Sequence, residues 1–254
     1  MDYKFIKYLV QKRLRVFSTE QARELANEIG IKPDAIVDRL YRLNKKGLIR
    51  RLMKGLYCLS SEYLKGVPIH EFEIALALAS PSSIAYMSAL SFHNLTDQMG
   101  TIIYIMTPID PQKKYSKNVY KIEGVRYRII RVKKEHFFGL EQKWIGRERI
   151  TITDLERTLI DGLIKPKYCG GFREVLDAYT QVIDGIDIPK IISYAKKISD
   201  SVCKRLGWVL SNLGVHDEQL KPLLERTTTS FAKLNPSGPQ RGPWNKKWLL
   251  LENL

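Results

Sequence analysis

Apolar residues recur at helical spacing in residues 3–12, where Phe5, Ile6, Leu9 and Val10 predict an amphipathic helix. Ser18 followed three places later by Gln21 has the form of a capping box, in which the two side chains satisfy free N–H donors of a first turn. It predicts a helix running to about residue 28. Gly30 ends that helix in the left-handed conformation, and Pro33 opens the next one where its missing N–H costs nothing. In this helix Ile36, Val37, Leu40, Tyr41 and Leu43 form the expected apolar face, and Ala35, Asp38, Arg39, Arg42, Lys45 and Lys46 lie away from it. Leu48-Ile49-Arg50-Arg51-Leu52 and Leu56-Tyr57-Cys58-Leu59 then flank Met53-Lys54-Gly55, which reads as two short strands around a hairpin tip. Helix, helix-turn-helix and hairpin in this order predict a winged helix-turn-helix domain over residues 1–62.

Residues 61–68 read as a connection to a second domain spanning 69–254. Residues 70–79 carry a helical pattern with Glu71 and Glu73 at its start, and Ser82 and Ser83 are placed to cap a helix from Ile84 to about Phe92. Residues 101–107, 119–122, 125–132 and 150–152 read as strands, with Tyr127 and Ile129 alternating against Arg126 and Arg128. Helices follow: one behind a second capping box of Thr153 and Glu156 and closed by Pro166, then residues 172–183, 189–213 and 217–224. The tail, 226–254, contains the turn-rich Asn235-Pro236-Ser237-Gly238 and the apolar Trp248-Leu249-Leu250-Leu251, expected to dock as a terminal strand. The predicted class is α+β: a winged helix-turn-helix followed by a mixed α/β domain with a helical distal part. The chain contains no internal repeat.

Composition narrows the function. With 254 residues, 44% hydrophobic and 27% charged, the chain is ordinary globular material. Its apolar runs fall far short of the roughly 18 residues of a membrane span, and its first residues lack the apolar stretch of a secretory signal, so a cytoplasmic location without membrane contact is expected. Cys58, Cys169 and Cys203 form no CxxC pair and read as buried apolar residues. The net charge of +15 is the abnormal total, and 14 Lys/Arg against 6 Asp/Glu place +8 of it in the first 60 residues. An excess of this size attracts polyanions.

A helix fits the major groove of B-DNA while the wing neutralises flanking phosphates, so double-stranded DNA is the expected partner of the N-terminal domain. The candidate DNA-binding set is Lys32, Ala35, Arg39, Arg42, Lys45, Lys46, Arg50, Arg51 and Lys54. Arg39 and Arg42 are expected to reach guanine edges, the wing and helix-end cations to hold the backbone, and the small Ala35 to permit close approach. A solvated cationic surface on a winged helix used for protein contacts is the competing reading. One winged helix reads few base pairs, so inverted half-sites bound by two copies are expected.

Signals for catalysis are weak. Ser88, Ser91, His93 and Asp97 include the residue types of a nucleophilic triad, but Ser91 and His93 point about 200° apart on a helix. Asp154, Glu156 and Asp161 could form a carboxylate metal site, yet Glu156 fits the capping role and Asp154 the helix dipole. His70, His93, His136 and His216 lack ligand spacing, and Gly170-Gly171 lacks the phosphate-loop pattern and reads as a turn. No cofactor or metal is expected. Arg131, Lys133, Lys134, Arg147 and Arg149, and Arg241, Lys246 and Lys247 beside Trp244 and Trp248, make the second domain basic too. Basic residues interleaved with aromatics mark them as candidate RNA contacts, against the reading that they extend a DNA footprint or solvate the surface.

The winged-helix segment joined to Tyr86-Met87-Ser88-Ala89-Leu90-Ser91-Phe92-His93-Asn94-Leu95-Thr96-Asp97-Gln98, Thr153-Asp154-Leu155-Glu156-Arg157-Thr158-Leu159-Ile160-Asp161 and Lys167-Tyr168-Cys169-Gly170-Gly171-Phe172 resembles the AbiEi family of antitoxins, and Asn235-Pro236-Ser237-Gly238 with Trp244-Asn245 fits it as well. The resemblance implies a non-enzymatic antitoxin and transcriptional autorepressor of a type IV toxin-antitoxin system in phage defence by abortive infection. Its winged helix would bind inverted repeats in its own promoter, and its C-terminal domain would counteract a nucleotidyltransferase-like toxin without needing a stable complex. The carry-over of residues reaches only the cations Arg39, Arg42, Lys45, Lys46, Arg50, Arg51 and Lys54. Two alternatives stand beside it: a C-terminal enzyme acting on the toxin, its substrate or nucleic acid, and a ligand-responsive transcription factor with no toxin.

Overall fold

The computed structural model describes residues 2–64, 66–98, 100–109, 118–225 and 228–254, so the first two positions of the tail, 226 and 227, lie outside it. The N-terminal part runs α1 (Asp2–Gln11), β1 (Val16–Ser18), α2 (Thr19–Glu28), a 3-10 turn (Pro33–Ala35), α3 (Ile36–Lys45), β2 (Ile49–Met53) and β3 (Leu56–Leu59). The capping box forms: Ser18 Oγ accepts from Gln21 N at 3.2 Å, and Ser18 N donates to Gln21 Oε1 at 2.8 Å. Gly30 adopts φ +77°, the left-handed value expected of it. Pro33 opens the 3-10 turn, and α3 follows from Ile36. The three strands pair antiparallel in the order β1-β3-β2.

A short helix, α4 (Ser61–Leu64), occupies the connection, and the central part is a six-stranded mixed sheet. Its elements are α5 (Glu71–Leu78), β4 (Ser83–Ile84), α6 (Met87–Phe92), β5 (Ile102–Thr107), β6 (Val119–Ile122), β7 (Val125–Arg131), β8 (Leu140–Ile145) and β9 (Glu148–Thr153). Their spatial order is β6-β7-β5-β4-β9-β8, with β5·β7 and β4·β9 parallel. Ser83 and Ile84 are strand rather than helix start. Ile84 lies between Ile105 and Ile152, and sheet pairing outweighs the local capping signal of the two serines. Strand β8, not foreseen, pairs along all of β9; its alternation is half-buried and charged, which hides it from a search for apolar runs.

The distal part is helical, with α7 (Leu155–Ile164), α8 (Phe172–Val182), α9 (Ile188–Ile198), α10 (Asp200–Asn212) and α11 (Asp217–Leu224). The expected helix over 189–213 is two helices, because Ser199 is extended at φ −171° and its hydroxyl caps α10 through Val202 N. The cap of α7 is Asp154, which accepts from Arg157 N at 2.8 Å, and not Thr153; Glu156 is drawn off to Lys190 and Asp187 N. Strands β10 (Ala232–Lys233), β11 (Trp244–Asn245) and β12 (Leu250–Leu251) close the chain in the order β10-β12-β11, so the tail docks as a strand as expected. Among the described residues no helix is long and apolar enough to cross a membrane.

The central sheet separates two cores. One face carries Ile105, Tyr127, Ile129 and Ile152 against α5 and against Val16, Leu56 and Cys58 of the N-terminal sheet. The opposite face carries Met106 and Ile130 under the distal helices. A third cluster, around Phe5, Phe17, Ile36 and Leu40, lies within the N-terminal part. All three cysteines are buried, and none of them forms a disulfide.

Candidate nucleic-acid interface

Helix α3 packs by Ile36, Leu40 and Leu43, each fully buried. Arg39 shares that stripe. It sits three residues after Ile36 and four before Leu43, is only 8% exposed, and its Nη1 donates to Asp2 Oδ1 at 2.9 Å. Asp2 opens α1, and its other oxygen takes Lys46 Nζ at 2.7 Å. The Lys46 hydrogen bond foremost, with the charges of Arg39 and Arg42, holds the Asp2 carboxyl below the usual carboxylate range. Arg39 therefore ties α3 to α1 instead of projecting outward.

The outward strip of α3 differs from the expected one. Val37 and Tyr41, assigned to the apolar face by spacing, are 49% and 67% exposed and stand beside exposed Arg42 and Lys45. They lie one position past the buried i, i+4, i+7 stripe of Ile36, Leu40 and Leu43, and that offset is the signal a stricter reading of periodicity would have used. Ala35 is half-buried at the helix entrance, with exposed Lys32 just before the 3-10 turn.

The wing is held against the helices at both ends. Asn44 Oδ1 at the end of α3 accepts from Arg51 N at 3.0 Å, and Gly55 O at the tip accepts from Thr19 N at 2.9 Å. Gly55 has φ +80°, which permits the tight tip, and Lys54 beside it is exposed. Arg51 is exposed, with Nε donating to Met53 O. Arg50 turns the other way and pairs with Glu123 at the β6–β7 turn. Of the nine candidate residues, Lys32, Arg42, Lys45, Arg51 and Lys54 thus form an exposed cationic set on helix, turn and wing, whereas Arg39, Lys46 and Arg50 are engaged by carboxylates.

Arg15 fastens this part to the central sheet. Its Nη2 donates to Val67 O at 2.7 Å and Pro68 O at 2.8 Å, and its Nη1 lies 3.4 Å from both Glu73 and Glu148. Beside it an open cleft of about 620 Å³ is lined by Arg13, Tyr63, Trp144 and Arg147 among others.

Of the residues with catalytic potential, Ser88, His93, Asp154, Glu156 and Asp161 have partners within the fold. Ser88 Oγ accepts from Tyr104 N at 2.9 Å, and His93 Nε2 lies 2.8 Å from Thr153 O, in different surroundings. Asp154 is shared by Arg157 N, Tyr194 and Lys190, and Asp161 is paired with Arg157 in the core. Burial pushes the Asp161 carboxyl up despite that partner. Among the described residues no cluster of His, Cys, Asp and Glu could hold a metal ion. His70 caps α5, and Gly170 and Gly171 form the turn before α8.

The basic candidates of the second part scatter. Lys133 pairs with Glu135, Lys247 pairs with Asp217, and Arg149 lies over the exposed Trp144 ring at 5.5 Å. Trp248 is buried at 2% exposure, which removes it from any stacking surface, while Trp244 stays exposed with its ring 4.7 Å from that of Phe231.

Residues 4–60 match the family model described as transcriptional regulator, AbiEi antitoxin. No curated protein sequence matches the chain. Among solved structures, the crystal structure of the RV2827C protein from Mycobacterium tuberculosis is similar with a TM-score of 0.56 and 15% identity, covering 96% of this chain and 88% of that one. At that identity the likeness is one of fold, and it extends through the central and distal parts.

Proposed function

From the match of residues 4–60 to the AbiEi antitoxin family of transcriptional regulators, we propose that the chain is an antitoxin that represses its own promoter. The observation that carries the DNA-binding part is the exposed strip of α3 bearing Arg42 and Lys45, continuous with Lys32, Arg51 and Lys54 and, among the described residues, outside the ion pairs that hold Arg39, Lys46 and Arg50. Arg42 is the guanine-reading candidate, Val37 and Tyr41 offer apolar contact to thymine methyl groups, and the other cations hold phosphates. Two copies on inverted repeats supply the specificity one helix lacks. The remainder of the chain counteracts a nucleotidyltransferase-like toxin, a role that draws support from the family of the N-terminal region.

The test is titration of the full chain against duplex DNA of its own promoter, with Arg42→Ala and Lys45→Ala variants. Loss of operator affinity with unchanged thermal stability supports the assignment; undiminished binding by the double variant refutes it. Co-expression with the neighbouring open reading frame tests the antitoxin part, since rescue from toxicity is its direct readout.

A second reading rests on the cleft beside Arg15. A volume of about 620 Å³ is within the usual range for small-molecule sites, and Arg13, Arg147 and Trp144 would suit an anionic aromatic ligand bound between the winged helix and the central sheet. Promoter affinity that shifts on adding such a ligand, with no toxic neighbour, would favour a ligand-responsive regulator.

A further inference from the structure

On β7 the side chains alternate across the central sheet: Tyr127 and Ile129 enter the core shared with the N-terminal part, and Arg126 and Arg128 take the opposite face. On that face Ile102 and Tyr104 of β5 are the register partners of Arg126 and Arg128. The distal helices cover Met106 and Ile130 farther along, but Tyr104 and Arg128 are only half-buried and Arg126 is exposed.

Tyr168, from the 3-10 turn after α7, stands at the border of the uncovered area. Its ring centroid is 5.7 Å from that of Tyr104 and 5.6 Å from that of Tyr86. Three cations surround it: Lys167 Nζ at 5.0 Å, Arg128 Cζ at 5.6 Å and Lys165 Nζ at 5.9 Å from the ring centre. Among the described residues Arg126 Nη2 bonds to Thr101 Oγ1 at 2.8 Å, and Arg128 Nε is buried with no hydrogen-bond partner there. None of the four cations is in an ion pair among the described residues. The carboxylate whose charge Lys165 feels, Asp161, is fully buried and already held by Arg157.

Four cations gathered around Tyr104 and Tyr168, with no carboxylate paired to them among the described residues, call for an anion that also carries flat rings. We propose that this face binds single-stranded RNA, with bases stacking on Tyr168 and Tyr104 and phosphates held by Arg126, Arg128, Lys165 and Lys167. A B-form duplex presents its bases in grooves that need a protruding helix or ribbon, and the described residues of this face supply none. RNA is the polyanion whose loops and ends leave bases free to stack. The winged helix packs on the other side of the same sheet, so this is a second site and not an extension of the α3 surface.

The test uses the full chain and two probes, a fluorescein-labelled 12-nucleotide unstructured RNA and the promoter duplex, in fluorescence anisotropy at several salt concentrations. The expected result is salt-sensitive RNA binding that the double variant R126E/K167E weakens at least ten-fold, with the slope of log affinity against log salt reduced by about 1.4, the value for two phosphate contacts on a single strand. Tyr168→Ala should weaken RNA binding roughly ten-fold, and Tyr168→Phe should leave it nearly intact. If Tyr168→Ala lowers the melting temperature, the exposed-charge variant decides. Promoter affinity should be unchanged in all of these, and R42A/K45A should leave RNA binding intact. No RNA binding by the parent chain at low salt, an unaffected R126E/K167E variant, or parallel loss of duplex binding would each overturn the proposal.

Discussion

Asp2 and Arg39 form a bridge from the first turn of α1 to the buried stripe of α3, with Oδ1 and Nη1 2.9 Å apart and the second Asp2 oxygen on Lys46. An arginine that composition and family resemblance place among the candidate DNA contacts is here a strut between α1 and α3. Its loss should therefore be felt in folding. Arg39→Ala is expected to lower stability by about 2 kcal/mol, the usual cost of removing a charge-assisted hydrogen bond, in thermal or urea denaturation. Residual promoter affinity should be near normal once the folded fraction is taken into account.

Because the folded protein holds the Asp2 carboxyl below its ordinary value, the bridge stabilises the fold above the unfolded carboxylate range and is lost as pH falls through the lower, folded value. Asp2→Asn should remove that acid-side dependence from a plot of stability against pH. A variant retaining the full acid-side slope would show that another group supplies it.

Arg42 and Lys45 should behave in the opposite way to Arg39. Replacing both with alanine is expected to leave the melting temperature within a degree or two, while the slope of log promoter affinity against log salt falls by about 0.9 per bound copy, the loss of the one phosphate contact of Lys45 on duplex DNA. The pair of measurements, melting and salt titration, separates a contact residue from a structural one.

Trp248 lies on Gly207 of α10, where a Cβ would come within 2.1 Å of the indole ring. The indole N–H also donates to Ser211 at 3.2 Å. Gly207→Ala should force the tail strand off the helix and cost on the order of 1–3 kcal/mol by overpacking. Trp248→Ala should cost about 3–5 kcal/mol through the cavity it leaves. Both effects should appear in chemical denaturation, with hydrogen exchange of β12 rising first.

Residues 1–62 read as a self-contained domain, and Val16, Leu56 and Cys58 bear on that reading because their buried side chains belong to the core beneath α5. A 1–62 fragment should be less stable than the same segment in the full chain, since burial of such side chains contributes roughly 1.5–3 kcal/mol each. Arg15→Ala in the full chain should raise hydrogen exchange in β1 and β3 for the same reason. Equal protection in fragment and full chain would mean that the shared core contributes nothing to the N-terminal part.

Much of the architecture is local and so was legible. The Ser18–Gln21 box, Gly30 and the Lys54-Gly55 tip each specify a turn or helix end through interactions within a few residues and appear where spacing put them, while Pro33 opens a 3-10 turn and the α-helix starts three residues later at Ile36. Non-local choices were not legible. Ile84 is strand because Ile105 and Ile152 flank it, β8 exists because β9 lies beside it, and Glu156 leaves its capping role because Lys190 comes within 2.6 Å. In the candidate interface, sequence alone set the supply of charge: an excess of basic residues around α3 and the wing, and a basic remainder. Tertiary structure decided which of those charges are spent. Arg39, Lys46 and Arg50 meet carboxylates that lie 37, 44 and 73 residues away, a distance over which periodicity carries no information. Arg42 and Lys45 stay exposed on α3, and Arg128 of the central sheet meets Tyr168 from the turn after α7. The reason is physical: a helix or turn is selected by neighbours along the chain, whereas the fate of a charge is set by whichever opposite charge or ring the fold brings within a few ångströms.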